Sequence, residues 1–236
     1  MKKDLVGCIC LTYNNIEHFA NSVEQFKRQT YKNKVLIVVD NSQLNNGYST
    51  QVLKTLLNSG LKKEEYEVLF EHKRFHLGHY RNMALHKAYE LGCRYIANWD
   101  DDDVMCDNRL KMQIDSLKKN KKIVSLLHKF TIIYEPKRGV VYDFKCSLKE
   151  CVMGMETTMV LDLKKEYDLP ENERISYQSN LSFGEDSHFV YQFRQRYGQD
   201  KFDILHNEYD DYKYVYHGNN ISGNKHFRQM IDKYKD

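Results

Sequence analysis

The chain has 236 residues, of which 41% are hydrophobic and 29% charged, enough for one sizeable core in a globular protein of ordinary composition. Its 36 basic residues against 33 acidic ones leave a net charge of +3, which excludes the strongly basic surface of a general nucleic-acid binder. No run of about 18 apolar residues offers a membrane span, and six cysteines without metal spacing predict a reducing, cytoplasmic setting.

Leu5 to Leu11 is an apolar strand run that breaks at Thr12-Tyr13-Asn14-Asn15, too short for a signal segment. Cys8 and Cys10 alternate within it and therefore share one face as core thiols. Ile16 to Arg28 has helical spacing through Phe19, Val23 and Phe26. Val35 to Val39 is a β-branched strand ending at Asp40, and Tyr48 to Asn58 is helical, closed by Gly60. Tyr66 to Phe70 predicts a strand, His79 to Glu90 a helix stopped by Gly92, and Tyr95 to Trp99 a strand leading into Asp100-Asp101-Asp102-Asp103. Strand and helix alternating in this way predict an α/β fold with a mostly parallel sheet covered by helices. Such a sheet gathers Thr12-Tyr13-Asn14, Asp40-Asn41-Ser42 and the aspartates at its carboxyl edge.

After a helix from Arg109 to about Lys118 the pattern changes. Ile123 to Leu127 and Phe130 to Tyr134 are strand runs, and Pro136-Lys137-Arg138-Gly139 is a turn leading to Val140-Val141-Tyr142, a hairpin. Thr157 to Leu161 predicts another strand. Residues Lys164 to Phe183 carry no periodicity, as in a loop beside a site. Glu185 to Arg196 is helical, Tyr216 closes a strand before His217-Gly218-Asn219-Asn220, and Gly223 to Tyr234 predicts a polar, loosely attached helix. There is no linker composition, so a single domain is expected. No heptad speaks to an oligomer.

Four adjacent carboxylates repel one another, so a fold keeps them only if they are hydrated or share a cation. A solvated acidic loop is the ordinary explanation. The apolar strand before them, Trp99 at its end and a helix with Arg109 in its first turn favour a site whose hard oxygens take Mg²⁺ or Mn²⁺ carrying a phosphate. In an extended segment Asp100 and Asp102 share one side and Asp101 and Asp103 the other, so one pair can face the metal while the other caps the helix near Asn108. Asp40 can close an Asx turn or accept from a base or ribose; Tyr13 nearby, with a face for a base to stack on, favours the second. Arg81 and Asn82 fall in a first helical turn, where a cation is unfavourable unless an anion is near, which assigns Arg81 to the carboxylates or a diphosphate. Glu185 and Asp186 follow Gly184 at a helix start: capping accounts for one carboxylate, and the pair suggests a general base. His217, at a strand end beside Gly218, can complete a metal shell.

Taken together, Val6 to Asn14, Gln29-Thr30-Tyr31, Asp40-Asn41-Ser42, Leu77-Gly78 with Arg81-Asn82, Trp99 with the four aspartates, Gly184-Glu185-Asp186 and His217 to Asn220 resemble the family 2 glycosyltransferases of GT-A fold. The resemblance implies a GT-A (Rossmann-like) sheet with a smaller acceptor-side β element. It also implies a nucleotide-sugar-binding half of about residues 1–120 and an acceptor-binding half of about 121–236. The activity it implies is inverting transfer from a nucleoside-diphosphate sugar, a UDP-sugar being favoured, to a glycan or other hydroxyl acceptor, assisted by Mn²⁺ or Mg²⁺. By position, Thr12, Tyr13, Asn14, Asp40, Arg81, Asp100 and Asp101 then look like nucleotide contacts, Asp102 and His217 like metal ligands, Asp186 like the base, and Trp99 and Glu185 like acceptor-side residues. Asn41 stands where the family often has a second acid, and no proline precedes Arg109-Leu110. Three other classes share some features. A metal-dependent phosphoesterase or nucleotide-sugar hydrolase needs more histidine ligands. A non-catalytic nucleotide-sugar-binding module would have no use for Asp186. A pyrophosphorylase would need a Gly-rich loop where Thr12-Tyr13-Asn14 stands.

Overall fold

The computed structural model describes residues 2–44, 47–137, 139–148, 155–218, 220 and 223–236; Arg138 of the expected turn and Asn219 of the His217 motif lie outside them. In chain order the elements are β1 (Lys2–Thr12), α1 (Ile16–Arg28), β2 (Lys34–Asp40), α2 (Tyr48–Asn58), β3 (Tyr66–Phe70), α3 (Leu77–Glu90), β4 (Cys93–Asn98), β5 (Val104–Met105) and α4 (Arg109–Asn120). There follow β6 (Val124–Leu127), β7 (Lys129–Lys137), β8 (Val140–Ser147), β9 (Met155–Asp162), α5 (Lys164–Tyr167), α6 (Glu185–Tyr197), β10 (Phe202–Leu205), β11 (Tyr212–Tyr216) and α7 (Gly223–Tyr234).

Seven strands form one sheet in the order β10-β6-β9-β4-β1-β2-β3, and four form a second in the order β5-β11-β7-β8. In the large sheet β1 pairs in parallel with β2 and β4, β2 with β3, and β6 with β10; only β9 runs antiparallel, between β4 and β6. Period-2 alternation divides its apolar side chains between two faces. Val6, Cys8 and Cys10 with Leu36 and Val38 pack under α1, α2 and α4, whereas Leu5 and Ile9 with Val35, Ile37 and Val39 pack under α3 and α6. The two thiols are buried as expected, and burial holds Cys8 in its protonated form, its pKa pushed up to about 12.

α1 shows how locally the helices are specified. Asn15 caps it, its Oδ1 accepting from the His18 amide at 3.2 Å, and Phe19, Val23 and Phe26 recur at helical spacing on the buried face. Each of those side chains contributes roughly 1.5–3 kcal/mol of burial. No helix among the described residues is long and apolar enough to cross a membrane.

Several expectations need correction. α7 is not loosely attached: Phe227 is fully buried, stacked on Tyr214 with ring centroids 4.5 Å apart, and Ile231 joins the same core. Phe227, Met230, Ile231 and Tyr234 form one apolar face at i, i+3, i+4 and i+7, set among polar neighbours that make the helix polar on average. α3 begins at Leu77, so Arg81 and Asn82 lie beyond its first turn. Lys164 to Phe183 is not featureless, for it contains α5 and a 3₁₀ turn at Glu171–Glu173. The two-residue β5 and four-residue β10 were unforeseen, being too short to show a period.

Candidate active site

β1 and β2 end level, Thr12 opposite Asp40. The Thr12 hydroxyl lies 2.5 Å from the Tyr48 hydroxyl, and Asn14 takes a positive φ of 51°, which turns the chain sharply off the strand and leaves Tyr13 52% exposed at the sheet edge. Asp40 is fully buried. Its Oδ1 accepts from the Ser42 amide at 2.9 Å, the Asx turn, while Oδ2 has no hydrogen-bond partner among the described residues. A buried carboxylate oxygen without a donor is costly in isolation, so Asp40 serves the turn with one oxygen and retains the other for a ligand.

The aspartate run is a turn rather than an extended segment, because β4 stops at Asn98, and each side chain goes its own way. Asp100 accepts from Arg81 Nη2 at 2.9 Å and from the Thr157 hydroxyl at 2.5 Å. Asp101 turns toward Thr12; burial, with Asp102 next to it, holds its carboxyl well above the usual range. Asp102 Oδ2 lies 3.2 Å from His217 Nε2 and accepts from Asn220 Nδ2 at 2.9 Å. Asp103 is buried, accepting from the Tyr212 hydroxyl and from the Val215 amide at 3.1 Å, and burial raises its pKa well above normal. Neither Asp101 nor Asp103 caps α4, and Asn108 at its N-cap makes no side-chain cap bond. Trp99 is also corrected: it is fully buried, with Nε1 donating to the Ser22 carbonyl at 3.3 Å and the Arg109 guanidinium over its ring, so it faces no acceptor.

Asp102 and His217 are brought together although 115 positions separate them. Among the described residues no group of three or more His, Cys, Asp or Glu side chains could hold a metal. One carboxylate and one imidazole fit Mg²⁺ or Mn²⁺, which complete their shells with phosphate oxygens and water, and do not fit a zinc site with three or four protein ligands. His18 packs edge-on against His217 at 4.6 Å between centroids. Asn15 determines its tautomer: with Oδ1 committed to the His18 amide, the Asn15 NH₂ donates to Nδ1 at 2.9 Å, so neutral His18 carries its proton on Nε2. Burial and then His217 lower the His18 pKa, which favours this neutral form.

Gly184, at a positive φ of 70°, turns the chain into α6 and presents Glu185 and Asp186. Glu185 points inward, only 4% exposed, and accepts from Arg81 Nε at 3.0 Å; that ion pair, rather than an acceptor, is its partner. Arg81 therefore joins Asp100 to Glu185 through two sides of one guanidinium. Asp186 Oδ1 accepts from the Ser187 amide at 2.8 Å. Burial first, then the Glu185 carboxylate, push its pKa up to about 6, opposed by Arg81. Glu156, on β9 beside Thr157, has a pKa pushed up to about 7 by burial and by Asp186, with the Ser187 side chain hydrogen-bonded to it. Glu156, Thr157, His18 and Asn220 were not singled out from the sequence. Only Asn220 carried a signal, as the last residue of the His217 motif.

A family model described as Glycosyl transferase family 2 matches residues 8–149. No curated protein matches the sequence. Among solved structures, the chain is similar to S. aureus TarS 1-349 in complex with UDP-GlcNAc, with a TM-score of 0.66 and 17% identity over 92% of this chain and 60% of that one. It is similar to S. aureus TarS over 90% of this chain and 37% of that one, with a TM-score of 0.64 and 18% identity. A third similar structure is mannosyltransferase PcManGT from Pyrobaculum calidifontis in complex with GDP-Man and Mn²⁺, with a TM-score of 0.60 and 12% identity over 92% of this chain and 57% of that one. At these identities the likeness establishes the GT-A fold, and the chain spans less than two thirds of each of these structures.

Proposed function

Because this chain belongs to glycosyl transferase family 2, we propose that it transfers a sugar from a nucleoside-diphosphate sugar to a hydroxyl acceptor in a single inverting displacement, with Asp186 as general base. The observation that supports the reading is the Arg81 bridge, which ties the aspartate turn to the start of α6 and so brings that turn close to a carboxylate of raised pKa. Residues up to about 120 supply the nucleotide side, joined at the diphosphate by His217 and Asn220, and the rest of the second half supplies the acceptor side.

Tyr13 offers an exposed ring for the base, Thr12 and Asn14 line the same turn, and Asp40 Oδ2 is a free acceptor for a base N–H or ribose hydroxyl. UDP is the favoured nucleotide, in line with UDP-GlcNAc in one structural neighbour; GDP-Man in another keeps GDP as the second donor to test. A divalent cation held by Asp102 and His217, with Mn²⁺ the first candidate, would supply Lewis-acid stabilisation of the negative charge gathering on the departing diphosphate. Asn220 holds the Asp102 carboxylate and the His217 backbone together, so both side chains are oriented in advance. On the acceptor side Asp186 takes the hydroxyl proton as that oxygen bonds to the anomeric carbon and the bond to the diphosphate oxygen breaks. Asp100 and Glu185, both bound to Arg81, act by orienting. The chemistry takes place in a cytoplasmic setting in this reading.

The test is Asp186→Asn, assayed for nucleoside diphosphate release and sugar transfer from UDP-GlcNAc and GDP-Man with Mn²⁺. Turnover is expected to fall by roughly 100- to 10,000-fold with UDP or GDP affinity unchanged. A variant with near wild-type turnover sinks the base assignment. Free sugar released by the wild type in place of transfer to any hydroxyl would favour a nucleotide-sugar hydrolase.

A further inference from the structure

We propose that the start of α3 is the seat on which the general base is positioned, and that Asn82 is its positioning residue; this deepens, and rests on, the reading of Asp186 as base. Among the described residues Asn82 makes no hydrogen bond to the aspartate turn or to Asp186. Its Oδ1 accepts from the Tyr177 amide at 2.8 Å, and its Nδ2 donates to the Tyr177 carbonyl at 2.8 Å and to the Ser179 hydroxyl at 3.1 Å. One side chain thus gives Tyr177 the two-point backbone pairing that a neighbouring strand would give, in a segment that belongs to no sheet.

The same helix start holds the rest of the segment. The Gly78 amide donates to the Leu181 carbonyl at 2.9 Å, and Ser182 Oγ lies 2.9 Å from His76 Nδ1 and accepts from the Leu77 amide at 3.3 Å. The approach is close enough that a Cβ on Gly78 would stand 2.1 Å from the Gln178 carbonyl oxygen. Beyond Ser182 only Phe183 and Gly184 precede Glu185, which Arg81 of α3 again holds. From the other side the Tyr177 ring stacks on Phe189 of α6, centroids 3.9 Å apart and planes 7° from parallel, while its hydroxyl donates to Asn98 Oδ1 at 3.1 Å. Residues 177–185 are therefore bound at both ends to the helix that begins at the donor edge of the sheet, and the position of Asp186 follows from that helix.

Asn82→Ala removes three hydrogen bonds and leaves the Arg81–Glu185 pair in place. A base displaced by about 1 Å loses on the order of 100-fold in kcat, so kcat is expected to fall to that extent while the Kd for UDP or GDP with Mn²⁺ stays that of the wild type. Backbone amides of 177–186 should exchange faster with solvent, a readout that needs no donor sugar. Asn82→Asp keeps the acceptor for the Tyr177 amide but sets a carboxylate oxygen against the Tyr177 carbonyl, and should lose kcat at least as far as Ala. Gly78→Ala, with Asn82 intact, pushes on Gln178 and should reproduce the kcat loss and the faster exchange. Asn82→Ala that leaves exchange over 177–186 and kcat at wild-type values overturns the proposal, whatever Gly78→Ala does. Turnover by Asp186→Asn would instead overturn the base reading, so the two failures are told apart.

Discussion

The proposed role of Asp186 as general base requires an ionised carboxylate with a pKa near the working pH. With its pKa at about 6, it is protonated and unable to accept a proton below that pH and ionised above it. The acid limb of kcat/KM is thus expected to fall about tenfold per pH unit below a midpoint near pH 6, and a profile flat down to pH 4.5 would contradict the assignment. Asp102→Ala removes the carboxylate of the proposed metal pair, so Mn²⁺ should no longer raise either activity or melting temperature; a variant still stimulated by Mn²⁺ refutes that role. Arg81 is 5% exposed between two carboxylates. Arg81→Ala leaves both without their cation at a cost of about 3–5 kcal/mol, measurable as a lowered midpoint in urea. At this scale, what could be seen in the sequence was which residue types stand at strand ends. Thr12 and Asp40 end strands, the aspartates and His217 follow one, and Asp186 opens a helix. Their partners could not be seen, because the Asp102–His217 and Arg81–Glu185 contacts depend on three-dimensional closure across 115 and 104 positions. Glu156 was hidden for a different reason, standing one residue before the predicted run Thr157 to Leu161, in the part of β9 that the run does not reach.

Helices and strands with a strong period were legible to within a residue or two. α1, α2 and β3 have the bounds that their spacing and flanking Gly or Asn residues predict. α7 shows what overall polarity conceals: its apolar residues Phe227, Met230, Ile231 and Tyr234 recur at helical spacing, and Phe227 is fully buried against Tyr214 and Tyr216 of β11, the strand that leads into His217. Phe227→Ala is expected to destabilise the protein by about 3–5 kcal/mol, seen as a lower unfolding midpoint. Because α7 backs β11, the variant should also weaken the Mn²⁺-induced thermal shift. A loose helix would tolerate the change with no shift in midpoint.

For the molecule as a whole, the proposed donor edge draws on strands from the first half and the proposed base on a helix of the second, so ligand binding should stabilise the entire chain. UDP or GDP with Mn²⁺ at about 100 times its Kd adds roughly 2.7 kcal/mol, or roughly 5–10 °C in melting temperature for a chain of this size. The antiparallel strand β9 has a further consequence, for the order of assembly. β4 pairs on one side with β1 and on the other only with β9, and β6 reaches the first-half strands only through β9. As the chain leaves the ribosome, residues up to Asn120 can form β1 to β4 and their helices while one flank of β4 still lacks its neighbour. The backbone groups of Tyr95, Ile96 and Ala97 then present an open, apolar strand edge until Val160 to Asp162 arrive to cover it. A fragment ending at Asn120 should accordingly associate with itself in solution, and the interval between synthesis of β4 and of β9 is the period in which the nascent protein most needs a chaperone.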